Sequence, residues 1–206
     1  MINSEIISYG IVLRSFIPSK IKITILDAKL GKIEVTPAFN NRSQGPQAYF
    51  NFSPGMYIRY RLDNSSKGTI ISDFSIYAIP TYWSRYNLVF FHQVLMLCYY
   101  FSPLDQESFE LFNMVKQLYV NPMEFSKLIS QKIFICKLFK VLGIFPAHII
   151  DKDKKLYYLI FHIIDSNVEL EETKEISAML DYWIESCIQV HPRAEQLSKK
   201  YYKLQY

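Results

Sequence analysis

Polar and apolar residues alternate strictly through "KIKITILDAKLGKIEV", residues 20–35, on both sides of a turn at "DAKLGK". Ile21, Ile23 and Ile25 fall on one side of the first arm, and Lys20, Lys22 and Thr24 fall on the other. After the turn, Ile33 and Val35 continue the apolar side. A period of two marks a strand with one wet face, so the stretch predicts a hairpin. The segments "IISYGIVLRSF" (6–16), "MYIRYRL" (56–62) and "TIISDFSIYAI" (69–79) are also strand-like. Within 56–62 the alternation puts Met56, Ile58, Tyr60 and Leu62 inside, and Tyr57, Arg59 and Arg61 outside. Short strands punctuated by turns predict a five-stranded antiparallel barrel, because closure leaves no edge exposed. An OB-fold barrel is the natural match in size.

Beyond Pro80 the period lengthens to that of helices. An almost wholly apolar helix is predicted over 84–101, followed by "QESFELFNMVKQLYV" with Asp105 as its cap. Pro122 suits the first position of a third helix, and Gly143 suits its stop. Lys132 is the one charge within the apolar stripe of that helix. "LYYLIFHII" (156–164) fits either a strand or a buried helix. A last helix is predicted over about 168–190, with Ile176, Leu180, Trp183, Ile184 and Cys187 on its apolar face. The chain therefore reads as α+β: a barrel domain over 1–80 and an α-helical domain over 81–206.

Half the residues are hydrophobic and 16% are aromatic, enough for a packed core. No run reaches the roughly 18 apolar residues of a membrane span, and no basic-then-apolar leader opens the sequence. The expectation is a cytoplasmic protein with no membrane partner. Cys98, Cys136 and Cys187 lie far apart, without CxxC or CxxH spacing, and read as buried thiols rather than metal ligands. His92 and His162 sit in apolar stretches and read as core residues. GxxxxGK[ST], GxGxxG and GxSxG are absent, and six glycines leave little from which to build a phosphate loop. No catalytic constellation, metal site or cofactor site emerges, so an enzyme is not expected.

Charge sharpens the picture. Residues 1–80 hold nine Lys and Arg against five acids, whereas 81–206 hold equal numbers, so the net +4 lies in the first third. Lys20, Lys22 and Lys32 on the hairpin, with Tyr57, Arg59 and Arg61 on a later strand, form the outward set. Cations attract phosphates and aromatic rings stack on unpaired bases. The same residue types also fill the wet face of any half-exposed strand.

The order of the pieces resembles the RecO family of bacterial recombination mediators and DNA-repair proteins. "YGIVLRS" (9–15) is similar to that family's opening, and "LGKIEV" (30–35) to its next turn. "NNRSQGP" (40–46) stands where the family has a basic loop, with Arg42 and Ser43 retained. "KIFICKLFKVLGIFP" (132–146) resembles a family helix and turn, and "HPRAEQLSKKYY" (191–202) its C-terminal segment. The resemblance implies an OB-fold followed by helices and binding of single- and double-stranded DNA. It further implies strand annealing, and recombinase loading with RecR and single-stranded-DNA-binding protein. Arg14, Lys20, Lys22, Lys32, Arg42, Tyr57, Arg59 and Arg61 would then meet nucleic acid. Lys132, with Lys137 and Lys140, would take the acidic C-terminal tail of single-stranded-DNA-binding protein. The zinc-binding cysteines of some members are missing, and most of the basic residues of the loop at 40–46 are lost. The alternative is a protein-interaction adaptor whose barrel does not bind DNA.

Overall fold

In the computed structural model, the described residues are 6–16, 22–37, 52–65, 68–146, 154–165 and 173–203. Strands β1 (Ile6–Phe16), β2 (Lys22–Asp27), β3 (Gly31–Pro37), β4 (Tyr57–Ser65) and β5 (Gly68–Ala78) close into a barrel in the order β1-β2-β3-β5-β4. β1 pairs antiparallel with both β2 and β4, and β4 pairs antiparallel with β5. The sheet is nevertheless mixed, because β3 and β5 run parallel through Thr36↔Ile70 and Pro37↔Ile71. This corrects the expected antiparallel barrel, and the reason is parity. A closed ring with an odd number of strands cannot reverse direction at every neighbour, so a five-stranded ring needs a parallel pair.

The inward set of the barrel core follows the alternation, but burial on β2 does not alternate: Thr24, expected on the wet side, is also buried. Val12, Ile23, Ile25, Ile33, Val35, Ile58, Tyr60, Leu62 and Ile71 point inward, with Phe52 among them. Burying such side chains stabilises a fold by about 1.5–3 kcal/mol each before entropy is counted. The β2–β3 turn is tied to this core by Asp27, which is fully buried. Its Oδ1 accepts from the backbone N–H of Lys29 and of Leu30, both at 2.7 Å, and its Oδ2 accepts from the Tyr60 hydroxyl. Gly31 follows at φ +72°, where an added Cβ would fall 1.8 Å from the Gln106 carbonyl oxygen. Only a residue without a side chain lets the segment after the second helix cross there.

Helices α1 (Thr81–Tyr86), α2 (Leu88–Phe101) and α3 (Phe109–Val120) follow. The single helix expected over 84–101 is thus divided at Asn87, whose side chain accepts from the Phe90 N–H at 3.0 Å and caps α2. Asp105 does not cap α3. It sits at φ 53°, and its N–H donates to the Lys32 carbonyl at 2.8 Å. Trp83 is buried and donates from Nε1 to the Leu118 carbonyl at 2.9 Å, tying α1 to α3.

The chain divides into two compact units, residues 1–119 and 120–206. The first therefore holds the barrel together with α1, α2 and α3 as far as Tyr119. In the second, Pro122 opens a 3-10 turn over Pro122–Phe125, and α4 (Leu128–Val141) begins beyond it. Gly143 ends that helix at φ +69°, as its position suggested. α5 (Lys154–Asp165) resolves the ambiguous "LYYLIFHII" as helix. α6 (Lys174–Gln189) is capped by Thr173, whose Oγ1 accepts from the Ile176 N–H at 3.2 Å, and α7 (Ala194–Lys203) follows. Leu180, Trp183, Ile184 and Cys187 are buried on α6, the face its spacing indicated. Among the described residues, no helix is long and apolar enough to cross a membrane.

Candidate nucleic-acid interface

The outward cations of the barrel divide into three situations. Lys22 is exposed, but its ammonium lies 3.1 Å from the Glu34 carboxylate across β2 and β3. Such an exposed pair contributes little stability, yet it offsets local charge. Lys32 is only 9% exposed, against the expectation of a wet-face lysine. Its ammonium donates to the Tyr99 carbonyl of α2 at 2.8 Å, and burial pushes its pKa down. The physical reason is cover: the residues around Leu104 bridge onto Lys32 and hide that side of β3. Arg14 is exposed on β1, with Nη1 donating to the Tyr99 hydroxyl at 3.1 Å and the guanidinium 5.1 Å from the ring centre. Arg14 and Lys32 thus converge on one tyrosine that sequence reasoning did not single out.

Arg59 and Arg61 lie on β4, Arg59 exposed and Arg61 half-buried. Tyr57, expected outside with them, is 5% exposed. The same barrel face carries α3, so Tyr57 packs against Phe112 and Tyr119 with ring centres 6.0 and 5.8 Å away. Burial raises its phenol pKa. Its other neighbours are Tyr9 on β1 and Tyr77 on β5, at 6.2 and 5.0 Å. Each of these strands supplies one ring, and the cluster becomes apparent once β1, β4 and β5 are known to be neighbours. Lys20 and Arg42 lie outside the described residues.

In the second unit Lys132 is already engaged. Its ammonium sits 2.6 Å from Asp181 Oδ2 and donates to Ser177 Oγ at 2.7 Å. Ser177 and Asp181 line a pocket of about 430 Å³ with Thr173, Lys174 and Ala178. Lys140 pairs with Asp165 at 2.5 Å and lies over the Phe161 ring, whereas Lys137 is half-buried on α4. The expected tail-binding lysines therefore differ in state: Lys132 and Lys140 each hold an internal carboxylate.

Among the described residues no group of three or more His, Cys, Asp or Glu side chains stands close enough to hold a metal. Cys98, Cys136 and Cys187 are free and buried. Burial pushes the Cys98 thiol up to about 12, away from a reactive thiolate. His162, expected in the core, is exposed on α5. No protein-family model and no curated protein matches the chain.

Proposed function

We propose that the chain is a RecO-like, non-enzymatic DNA-repair and recombination mediator, with an OB-type barrel that binds single- and double-stranded DNA. The observation that carries this reading is the strand order β1-β2-β3-β5-β4 with its single parallel closure. It supports the OB-fold to which the ordered sequence pieces point: "YGIVLRS" lies in β1, and "LGKIEV" runs through the turn into β3. In this reading Arg14, Arg59 and Arg61 contact phosphates, while the helical unit serves RecR and the acidic tail of single-stranded-DNA-binding protein. Tail docking at Lys132 then requires a carboxylate to exchange with Asp181.

A second reading, a protein-interaction adaptor, is favoured by two observations: the Lys22–Glu34 pair and the burial of Lys32 both reduce free positive charge on the hairpin. Strand annealing separates the two. Complementary labelled oligonucleotides are mixed with and without the protein, and pairing is followed by energy transfer. Acceleration by the protein supports the mediator, and an unchanged annealing rate leaves the adaptor.

A further inference from the structure

We infer that the β1–β4–β5 face of the barrel is a stacking platform for unpaired bases, built by Tyr9 and Tyr77 beside Arg59. This inference rests on the nucleic-acid reading above and names the face and the chemistry that it would use. Tyr9 is 38% exposed and Tyr77 66% exposed, and their ring centres lie 5.9 Å apart on one sheet. Their positions are fixed from beneath. Tyr57, buried between them and α3, touches both rings, so neither has to be ordered when a ligand arrives. Rigid, half-open rings of this kind bind with little loss of side-chain freedom.

The register adds a cation. Tyr9 is directly opposite Arg59 on β4, and Arg59 is opposite Ser75 on β5. Arg59 is exposed and holds no ion pair or hydrogen bond with another described side chain. Arg61, one step along the same face, is half-buried and stands opposite Asp73 in the register. Arg59 therefore brings an exposed cation to the rings. An apolar partner would have no use for an unpaired guanidinium, whereas a strand of nucleotides presents a base to the ring and a phosphate to the cation. Duplex DNA hides its base faces in the stack, so the platform selects single strands.

The test uses the full chain, a labelled oligothymidine, and a duplex of equal length, with affinity read by fluorescence anisotropy at one salt concentration. Tyr9→Ala and Tyr77→Ala are each expected to weaken oligothymidine binding roughly tenfold, within the usual range for one stacked base. Duplex affinity should be unchanged, and Tyr77→Phe should retain single-strand affinity because the ring survives. Thermal melting checks that the variants fold, which their exposure favours. Unchanged single-strand affinity in both alanine variants, while the unaltered chain binds, overturns the platform alone. Failure of the unaltered chain to bind either DNA overturns the proposed function as well. If the alanine variants instead lose self-association in sedimentation and keep DNA affinity, the face is a protein interface and the inference is wrong.

Discussion

Asp27→Ala is expected to be among the most damaging single changes in the barrel. The carboxylate is fully buried and accepts three hydrogen bonds, two from the N–H groups of the β2–β3 turn and one from the Tyr60 hydroxyl. Hydrogen bonds to a charged group contribute about 1.5–3 kcal/mol each. The turn amides can regain water after truncation, but the Tyr60 hydroxyl cannot, because Tyr60 is 2% exposed. Stranding it costs about 1–3 kcal/mol, and loss of the turn contacts brings the total to about 3–5 kcal/mol. That is a large part of the 5–15 kcal/mol that holds a typical domain. Tyr60→Phe, which removes only the hydroxyl, should cost about 1–2 kcal/mol. The double variant should be less unstable than the sum, since no hydroxyl is then left unpaired. Urea denaturation followed by tryptophan fluorescence measures all three, with Trp83 reporting on the unit that contains the barrel. A cost below about 1 kcal/mol for Asp27→Ala, or strict additivity, would refute the reasoning.

Other consequences are equally direct. Gly31→Ala should destabilise the chain by at least about 2 kcal/mol, combining a left-handed backbone with a clash on the Gln106 carbonyl; a melting temperature equal to that of the unaltered chain would exclude it. Lys132→Ala should cost about 1–2 kcal/mol, discounted because Asp181 is half-exposed, and Lys132→Met should cost less if packing of the stem dominates. The cysteines should resist iodoacetamide in the folded protein. With Cys98 pushed up to about 12, its thiol stays protonated at pH 8, and burial also holds Cys136 and Cys187 above their ordinary range. Mass spectrometry should therefore find no adduct until denaturant is added; rapid labelling of the native chain would show that these sites open.

Much of the barrel was legible because period-two alternation reports a local fact, which side of a strand is apolar. Ile23, Ile25, Ile33, Val35, Ile58 and Leu62 went inward as their spacing required. Alternation does not report what covers the outer side. Lys32 and Tyr57 occupy outward positions, yet residues after α2 lie over the first and α3 packs against the second. Both covers come from segments more than fifty residues away in sequence, so no window around either residue could reveal them. Strand order was hidden for the same reason, although the need for a parallel pair follows from the strand count alone. The break at Asn87 was readable in principle: a lone asparagine before an apolar run is a cap signal that hydrophobicity alone overrides. Tyr9 and Tyr77 became a pair only when β4 was seen between their strands.

The most direct measurement is the affinity of the unaltered chain for a single-stranded oligonucleotide across a range of salt. If Arg14, Arg59 and Arg61 each meet one phosphate, the logarithm of the binding constant should fall with the logarithm of salt at a slope near −2, using about 0.7 per contact. Arg59→Ala should make the slope shallower by about 0.7, whereas Lys32→Met, altering a buried ammonium, should leave it unchanged. Undetectable binding, or binding with a flat salt dependence, would contradict the account.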